Sequence, residues 1–480
     1  IETKHNEVHT EKQPLKRLAM QVQKDKEVRQ VKWQQYITGV AACLSLVASG
    51  AWFSWPAPLL PILQGPESPV PMTPDEASWV VSSVEVGCLF SPFPSTFLAD
   101  HYGRKLSMLL ITPLFFISLC LTIYIKTFWS LCLARFVAGL SMGIPWTVLP
   151  LYLGEIATTK ARGAITSLFH VAWGLGCLFP YCVGPFLPFD MFTYSTFSLS
   201  VLFLVCFAWQ PESPYYYVMR GKPKEATKML MILRGSHETD LFQKELEEIQ
   251  LEVKKSLEEK ASWIDIFTNP ADRRALVLII IVGVVSFLSG QNAILTYSTD
   301  TFSKFSNNFM PPDFITIAIG VVALLGSVFS VFTSDRFGRR FLLLISSIGC
   351  MISLFIASAY FYLDSNTSVD VSSYSWVAPV AVMAYNLFVT AGMHPVCVTY
   401  TSELFLTRTR GVASSISGIN LTFCSFLVLK FYEPISAAMG IYFAYLCYAL
   451  TCLIGTVLFY YMMPETKGKT FLEIRETLKI

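Results

Sequence analysis

Long apolar runs alternate with short polar blocks along most of this chain. The runs fall near residues 37–63, 79–99, 106–125, 129–152, 164–184, 191–210, 275–297, 314–334, 341–362, 376–401, 412–430 and 437–462. Each is long enough to form a helix across a hydrocarbon core about 30 Å thick. The pattern therefore predicts an all-α membrane protein of twelve transmembrane helices, six on either side of a polar stretch at 219–274. In that stretch Glu245, Glu247, Glu248, Lys254, Lys255, Glu258 and Glu259 interleave with Leu246, Ile249, Leu251 and Val253. Such regular apolar spacing predicts an amphipathic helix on the membrane surface or over the bundle rather than a disordered linker.

Composition sharpens this picture. Of the 480 residues 53% are hydrophobic and only 15% charged, against about 25% charged in an ordinary soluble domain. Mean hydropathy is +0.50. A formal net charge of +2 argues against a nucleic-acid partner; the expected partners are the lipid bilayer and a small-molecule substrate, with the protein working as a monomer. All 12 cysteines lie inside apolar runs, so they read as small buried hydrophobes rather than as bridges or metal ligands. No metal and no cofactor is expected. The chain opens on Ile1, so its numbering is not expected to start at an initiator. Residues 1–35 are polar and too long for the basic start of a signal peptide, and no cleavable signal is expected.

Lysine and arginine set the orientation. The first 35 residues, the turns at 100–105, 160–162, 335–340 and 408–410, the 219–274 stretch and the final segment are basic, whereas the loops at 64–77, 185–193 and 363–375 contain neither Lys nor Arg. Both termini are therefore expected in the cytoplasm. The expected division is a cytoplasmic segment 1–35, a first half 36–218, a cytoplasmic helical linker 219–274, a second half 275–463 and a cytoplasmic tail 464–480. Asn366-Thr367-Ser368 falls in an external loop as a possible glycan acceptor. Asn420-Leu421-Thr422 fits the same pattern but lies within a span.

The two halves repeat three motifs in the same order. Asp100-His101-Tyr102-Gly103-Arg104-Lys105 follows the second run and Asp335-Arg336-Phe337-Gly338-Arg339-Arg340 the eighth. Glu155 precedes Arg162-Gly163 by the same interval as Glu403 precedes Arg410-Gly411. Pro211-Glu212-Ser213-Pro214 ends the sixth run and Pro464-Glu465-Thr466-Lys467 the twelfth. Parallel six-helix repeats are the plan of major facilitator transporters. Together with Pro150-Leu151-Tyr152-Leu153-Gly154-Glu155 and Ser289-Gly290-Gln291-Asn292, the motifs make residues 36–475 resemble the sugar-porter family, which includes facilitative glucose carriers and insect trehalose carriers.

The resemblance implies a solute carrier that works by alternating access, not an enzyme. No metal-ligand spacing and no Ser/His/Asp arrangement points to catalysis. It also implies an inner gate of charge pairs that hold the halves together when the pore faces outward. One cluster would be Arg104, Glu155, Arg162 and Glu212; the other Arg339, Arg340, Glu403, Arg410 and Glu465. His101 stands where the motif has arginine, and Tyr215 where many relatives have arginine, so the first cluster is expected to be the weaker. Glycines at 103 and 338 would permit the tight turns.

The family's sugar-binding positions fare differently. By motif alignment the fifth-span glutamine falls at His170, two seventh-span glutamines at Ser286 and Phe287, an eighth-span asparagine at Ala323, a tenth-span glutamate and tryptophan at Thr390 and Val398, and an eleventh-span asparagine and tryptophan at Leu421 and Thr422. Asn292 survives, beside Gln291. The expected substrate set is Phe53, His170, Trp173, Ser286, Phe287, Gln291, Asn292, Thr390, His394, Asn420 and Thr422. Losing several hydroxyl partners makes a poor sugar site. The expected cargo is thus a small organic molecule less polar than a sugar, such as a lipophilic or terpenoid hormone-like molecule, crossing the plasma membrane. The alternatives are hexose or trehalose transport and a non-transporting sensor.

Two ionisable groups inside the runs need partners. Glu85 lies about 22 Å along a helix from Asp100; it would bind a cation or proton, or, as favoured, snorkel to an external vestibule. Arg135 would pair across the bundle. The first run has no acid, Trp52 and Phe53 occupying the stretch where proton-coupled relatives carry one, which favours facilitated diffusion.

Overall fold

At every predicted run the chain is helical; about half of the helices extend beyond the apolar stretch by a turn or more, and the rest match it to within a few residues. The computed structural model describes residues 33–66, 68–158, 161–235, 240–258, 263–304, 309–333, 337–405, 407–467, 469 and 473. In the first half α1 is Trp33–Leu63, α2 is Pro74–Phe90 continued by Pro92–Tyr102, α3 is Arg104–Ile125, α4 is Phe128–Ile156, α5 is Arg162–Val183 and α6 is Phe189–Phe207. Four shorter helices follow: α7 Pro214–Met219, α8 Pro223–Arg234, α9 Asp240–Glu258 and α10 Trp263–Thr268. The second half comprises α11 Pro270–Ser303, α12 Pro312–Thr333, α13 Arg339–Asn366, α14 running from Val377 to Glu403, α15 Thr407–Met439 and α16 Ile441–Met462. No strand occurs among the described residues.

Eleven of these helices are long and apolar enough to cross a membrane. The twelfth, α2, carries Asp75, Glu76, Glu85 and Asp100 and is interrupted at Ser91, just before Pro92. A proline cannot donate to the preceding turn, so the break falls where the sequence demands. Helix α11 breaks at Ser289-Gly290, where Gly290 takes φ +92° and a Cβ would collide with the ring of Tyr448. That break lets Gln291 and Asn292 open a second, deeply buried segment.

The linker behaves as its pattern predicts. Leu246, Ile249 and Val253 of α9 bury against Ala226 and Leu230 of α8, and Arg234 pairs with Glu245 at 2.6 Å. The Arg234 guanidinium also donates to the Ile156 carbonyl at 2.8 Å, fastening the linker to the end of α4. Leu251 departs from the expected apolar face. It is 64% exposed, because it sits one residue off the Leu246–Ile249–Val253 stripe.

The halves meet on the face opposite the linker. The end of α1 packs on the second segment of α11, α2 on α15, and α5 on α12. Lys430 of α15 donates to Asp75 at 2.7 Å and to Ser78 at 2.8 Å and lies 4.3 Å from the Trp79 ring centre. Tyr181 donates to the Leu295 carbonyl at 3.1 Å. Asn366 is exposed at the end of α13 on this same face.

Candidate functional site

The duplicated turns have one construction. Gly103 has φ +103° and Gly338 φ +81°, left-handed conformations that cost an L-residue about 1–2 kcal/mol. Each glycine opens a helix whose first N–H groups lack intrahelical partners. Glu212 accepts from Arg104 N at 3.1 Å and Lys105 N at 3.0 Å. Glu465 accepts from Arg339 N at 3.0 Å and Arg340 N at 3.2 Å. A Cβ on Gly103 would overlap the Glu212 carboxylate, and one on Gly338 would stand 2.8 Å from Glu465 Oε2. The glycines are thus needed for two reasons: the turn angle, and room for the carboxylate that caps α3 or α13. Glu212 and Glu465 serve as helix caps, and neither forms a side-chain ion pair with another described residue in the structure.

The guanidinium pairs lie beside these caps. Arg104 meets Glu155 at 3.1 Å and Asp100 at 3.6 Å; Arg339 meets Glu403 at 3.1 Å, and Thr466 donates to the second Glu403 oxygen at 2.5 Å. Arg340 turns away and donates to the Tyr460 carbonyl. Both arginine–glutamate pairs close within one half, α3 to α4 and α13 to α14, so neither bridges the halves in this conformation. The side chains of Arg162 and Arg410 lie outside the described residues. Of the two paired arginines, Arg104 is the more buried, 6% exposed against 15% for Arg339. Arg220 of the linker donates to the His101 carbonyl, supplying a cation at the turn where His101 replaced one. Tyr215 donates to Glu252 at 2.8 Å, so this departure too is absorbed by the linker.

The two caps titrate in opposite directions. Burial holds the Glu212 carboxyl above its usual range, despite backbone N–H groups and Arg104 that favour the anion. Around Glu465 burial also disfavours the charge, but the N–H groups of Lys467, Arg339, Arg340 and Thr466 outweigh it and hold the carboxyl below its usual range. Stability from ionised Glu465 is therefore present above the ordinary glutamate value of about 4.3 and lost as pH falls through its own lower one. Folded Glu212 instead favours its protonated form, a preference that fades as pH rises. On acidification the amides of Arg104 and Lys105 should lose hydrogen-exchange protection at a higher pH than those of Arg339 and Arg340. Simultaneous loss would contradict the asymmetry.

Between the halves, the predicted substrate residues form two groups. In the first half Phe53 lies 5.5 Å from Trp173, Trp173 5.2 Å from Trp146, Trp146 5.0 Å from Phe169, and Phe169 5.4 Å from His170, all between ring centres. This aromatic row joins α1, α4 and α5. In the second half Phe287 stacks on His394 at 4.9 Å with the rings 13° from parallel. Around that stack Ser286 Oγ, Gln291 Oε1 and His394 Nε2 are buried without a hydrogen-bond partner. Buried polar side-chain atoms normally have partners, so these three are candidates for hydrogen bonding to a solute once the site opens.

Other members of the predicted set are already engaged. Thr390 donates back to the Asn386 carbonyl at 2.7 Å and sits where a Cβ on Gly326 would be, so it faces α12 rather than the stack. Asn420 donates to the Ile280 carbonyl at 3.3 Å, joining α15 to α11. Thr422 is half-buried. Asn292 donates to Ser425 Oγ, which donates to Glu85 Oε1, both at 2.5 Å. Glu85 therefore does not snorkel; it is 7% exposed and closes a polar chain across the halves. Arg135, also buried, donates to the Trp52 and Phe53 carbonyls, where α1 turns ahead of Pro56.

Four contributors escaped the sequence reading. Trp146 and Phe169 lay in apolar runs as unremarkable aromatics, although Phe169 adjoins His170. Ser425 carried no motif. Arg220 sat beyond the Pro-Glu-Ser-Pro block, where only its proximity to a missing arginine could have flagged it.

Residues 21–478 match the family described as Sugar (and other) transporter. Similar proteins include the facilitated trehalose transporters of Polypedilum vanderplanki, 28% identical over 93% of this chain and 88% of that one, and of Bombyx mori, 28% identical over 85% and 80%. The transporter of Drosophila willistoni is 27% identical over 93% of this chain, which spans about half (51%) of that relative's length. Among solved structures, the proton:xylose symporter XylE bound to 6-bromo-6-deoxy-D-glucose superposes with a TM-score of 0.74 at 20% identity, covering 93% of this chain and all of the other. A partially occluded inward-open XylE from E. coli gives 0.76 at 21% identity over 91% and 99%. Those superpositions establish the twelve-helix major facilitator fold, and the family match over nearly the whole length completes the assignment: this chain belongs to the sugar-porter family of the major facilitator superfamily, a family of multi-pass membrane transporters of small molecules.

Proposed function

We propose that the protein is a facilitative carrier of a sugar-type solute, a hexose or trehalose, working by alternating access in the plasma membrane with both termini cytoplasmic. The observation that carries this reading is the trio of unpartnered atoms, Ser286 Oγ, Gln291 Oε1 and His394 Nε2. Leaving such an atom buried and unpaired costs about 1–3 kcal/mol, which a solute hydroxyl recovers and an apolar solute does not. The facilitated trehalose transporters that resemble this chain along most of its length support the same choice. The contrary expectation, a less polar cargo, rests on the loss of the family's amides and acid at aligned positions such as Phe287, Ala323 and Leu421, and the Phe287–His394 stack and the aromatic row would suit it. Those rings suit the apolar faces of a sugar ring as well as a lipophilic molecule, so they do not outweigh the unpaired atoms.

Within this scheme the Arg104–Glu155 and Arg339–Glu403 pairs keep the linker-side end of each half in shape, and the polar chain through Glu85 helps to close the opposite face. Helix α1 offers no acid for proton coupling, and Asn366 is placed to carry a glycan outside. The test is uptake of radiolabelled trehalose, glucose and xylose into proteoliposomes, with a lipophilic terpenoid as competitor and with or without a protonophore. Saturable sugar uptake that reaches equilibrium and ignores the protonophore is expected, with Ser286→Ala and Gln291→Ala each lowering it about tenfold, the effect of roughly 1.4 kcal/mol. Saturable terpenoid transport with no sugar uptake would reverse the choice of cargo. Accumulation that collapses with the protonophore would replace facilitated diffusion by symport.

A further inference from the structure

A groove of about 910 Å³ opens at the linker-side ends of α3 and α6, beneath α7 and α8. It lies far from the central stack and takes no part in the proposed transport path. Three cations line it: Lys105 at the start of α3, Arg220 just after α7, and Lys222 just before α8. Neither lysine forms an ion pair with a described residue. Among the described residues Arg220 meets the His101 carbonyl and the face of Tyr216, 5.8 Å from the ring centre, and no carboxylate. Glu212, the one acid in the lining, is already bound by the N–H groups of Arg104, Lys105 and Ser213. With three cations against one acid in its lining, the groove presents an excess of positive charge.

Its rim carries exposed apolar side chains from the membrane-spanning helices. Trp209, just after α6, is 86% exposed and Leu106, near the start of α3, 48%, and on such helices this surface meets acyl chains, with tryptophan at headgroup depth. Cations above and acyl-chain surface below, at one end of a transmembrane helix pair, match a single molecule that is anionic at its head and apolar at its tail. Basic pockets between transmembrane helices recognise anionic lipids in this manner.

We propose that this groove binds an anionic phospholipid, its phosphate held by Lys105, Arg220 and Lys222 and its chains lying along Leu106 and Trp209. Because Lys105 belongs to α3 while Arg220 and Lys222 belong to the linker, the lipid fastens the linker to the first half. The proposal depends on membrane embedding and not on which solute is carried.

The experiment is native mass spectrometry of the full chain in detergent, titrated separately with phosphatidylserine and phosphatidylcholine. The native protein should retain phosphatidylserine in preference, and the Lys105→Gln/Arg220→Gln/Lys222→Gln variant should lose that preference by about fivefold or more, with phosphatidylcholine retention unchanged. Arg220→Gln alone, an exposed position that tolerates replacement, should lose part of it and decides the matter if the triple variant does not fold. Inorganic phosphate should not displace the lipid. Undiminished phosphatidylserine preference in the folded variants, or displacement by phosphate alone, would overturn the assignment, the latter by making the site one for a free anion.

Discussion

Gly338→Ala should cost about 3 kcal/mol or more and lower transport at least tenfold. The new Cβ first meets an unfavourable backbone angle, φ +81°, worth about 1–2 kcal/mol. It then stands 2.8 Å from Glu465 Oε2, so the carboxylate must withdraw from Arg339 N and Arg340 N. Hydrogen bonds to a charged group are worth about 1.5–3 kcal/mol each, and part of that is lost. Gly103→Ala should behave likewise, since its φ is +103° and its Cβ would strike Glu212. Gly411→Ala is the control: nothing lies within 4 Å of its would-be Cβ, and alanine is the better helix former by about 1 kcal/mol. Thermal unfolding of the three purified variants, alongside uptake, separates the outcomes. Equal melting of Gly338→Ala and Gly411→Ala would show that the carboxylate does not need the space.

Glu85→Ala should be the most damaging change inside the membrane. Glu85 is buried and receives the Ser425 hydrogen bond that joins α2 to α15. Removing the acceptor strands the Ser425 hydroxyl at a buried site, which costs about 1–3 kcal/mol, and leaves a cavity where the side chain stood, which adds to the loss. The variant should unfold at a clearly lower temperature and lose more than nine-tenths of uptake. Glu85→Gln keeps both the volume and an acceptor for Ser425, so its loss of stability should be intermediate. Ser425→Ala, which cuts the chain to Asn292 while leaving the Glu85 side chain in place, should retain most of the stability and weaken only closure of the face opposite the linker. If Glu85→Ala and Ser425→Ala prove equal in stability, the Glu85 side chain contributes nothing beyond the Ser425 hydrogen bond.

The architecture was legible because hydrophobic period and length are decided locally. Apolar runs of about 20 residues leave few choices in a bilayer, and the duplicated turns disclosed the two halves. The residues of the turns were legible too, but not their roles. Glu212 lies more than a hundred positions from Arg104 in sequence, and nothing local distinguishes a carboxylate that pairs with a guanidinium from one that caps a helix. Glu85 misled for a related reason. Its depth along α2 was readable, yet whether it reaches solvent depends on what α15 places opposite, and Ser425 has no signature of its own. In the substrate region, alignment counted the amides that were missing. Ser286, Gln291 and His394 were named in the same region, but that one polar atom of each lacks a partner emerges only when the helices are packed. Thr390 shows the converse: a polar residue at a family position whose hydroxyl is spent on its own helix.

The placement of the two capping carboxylates has a bearing on how the protein is made. The first turn of α3 is complete only when Glu212, beyond α6, has been synthesised, and that of α13 only when Glu465, beyond α16, has followed. Until then Arg104, Lys105, Arg339 and Arg340 present uncapped amides on helices already in the membrane. Each half therefore carries its own closing clasp at its trailing edge, and a nascent half remains open to rearrangement, or to quality control, until its last helix has been inserted.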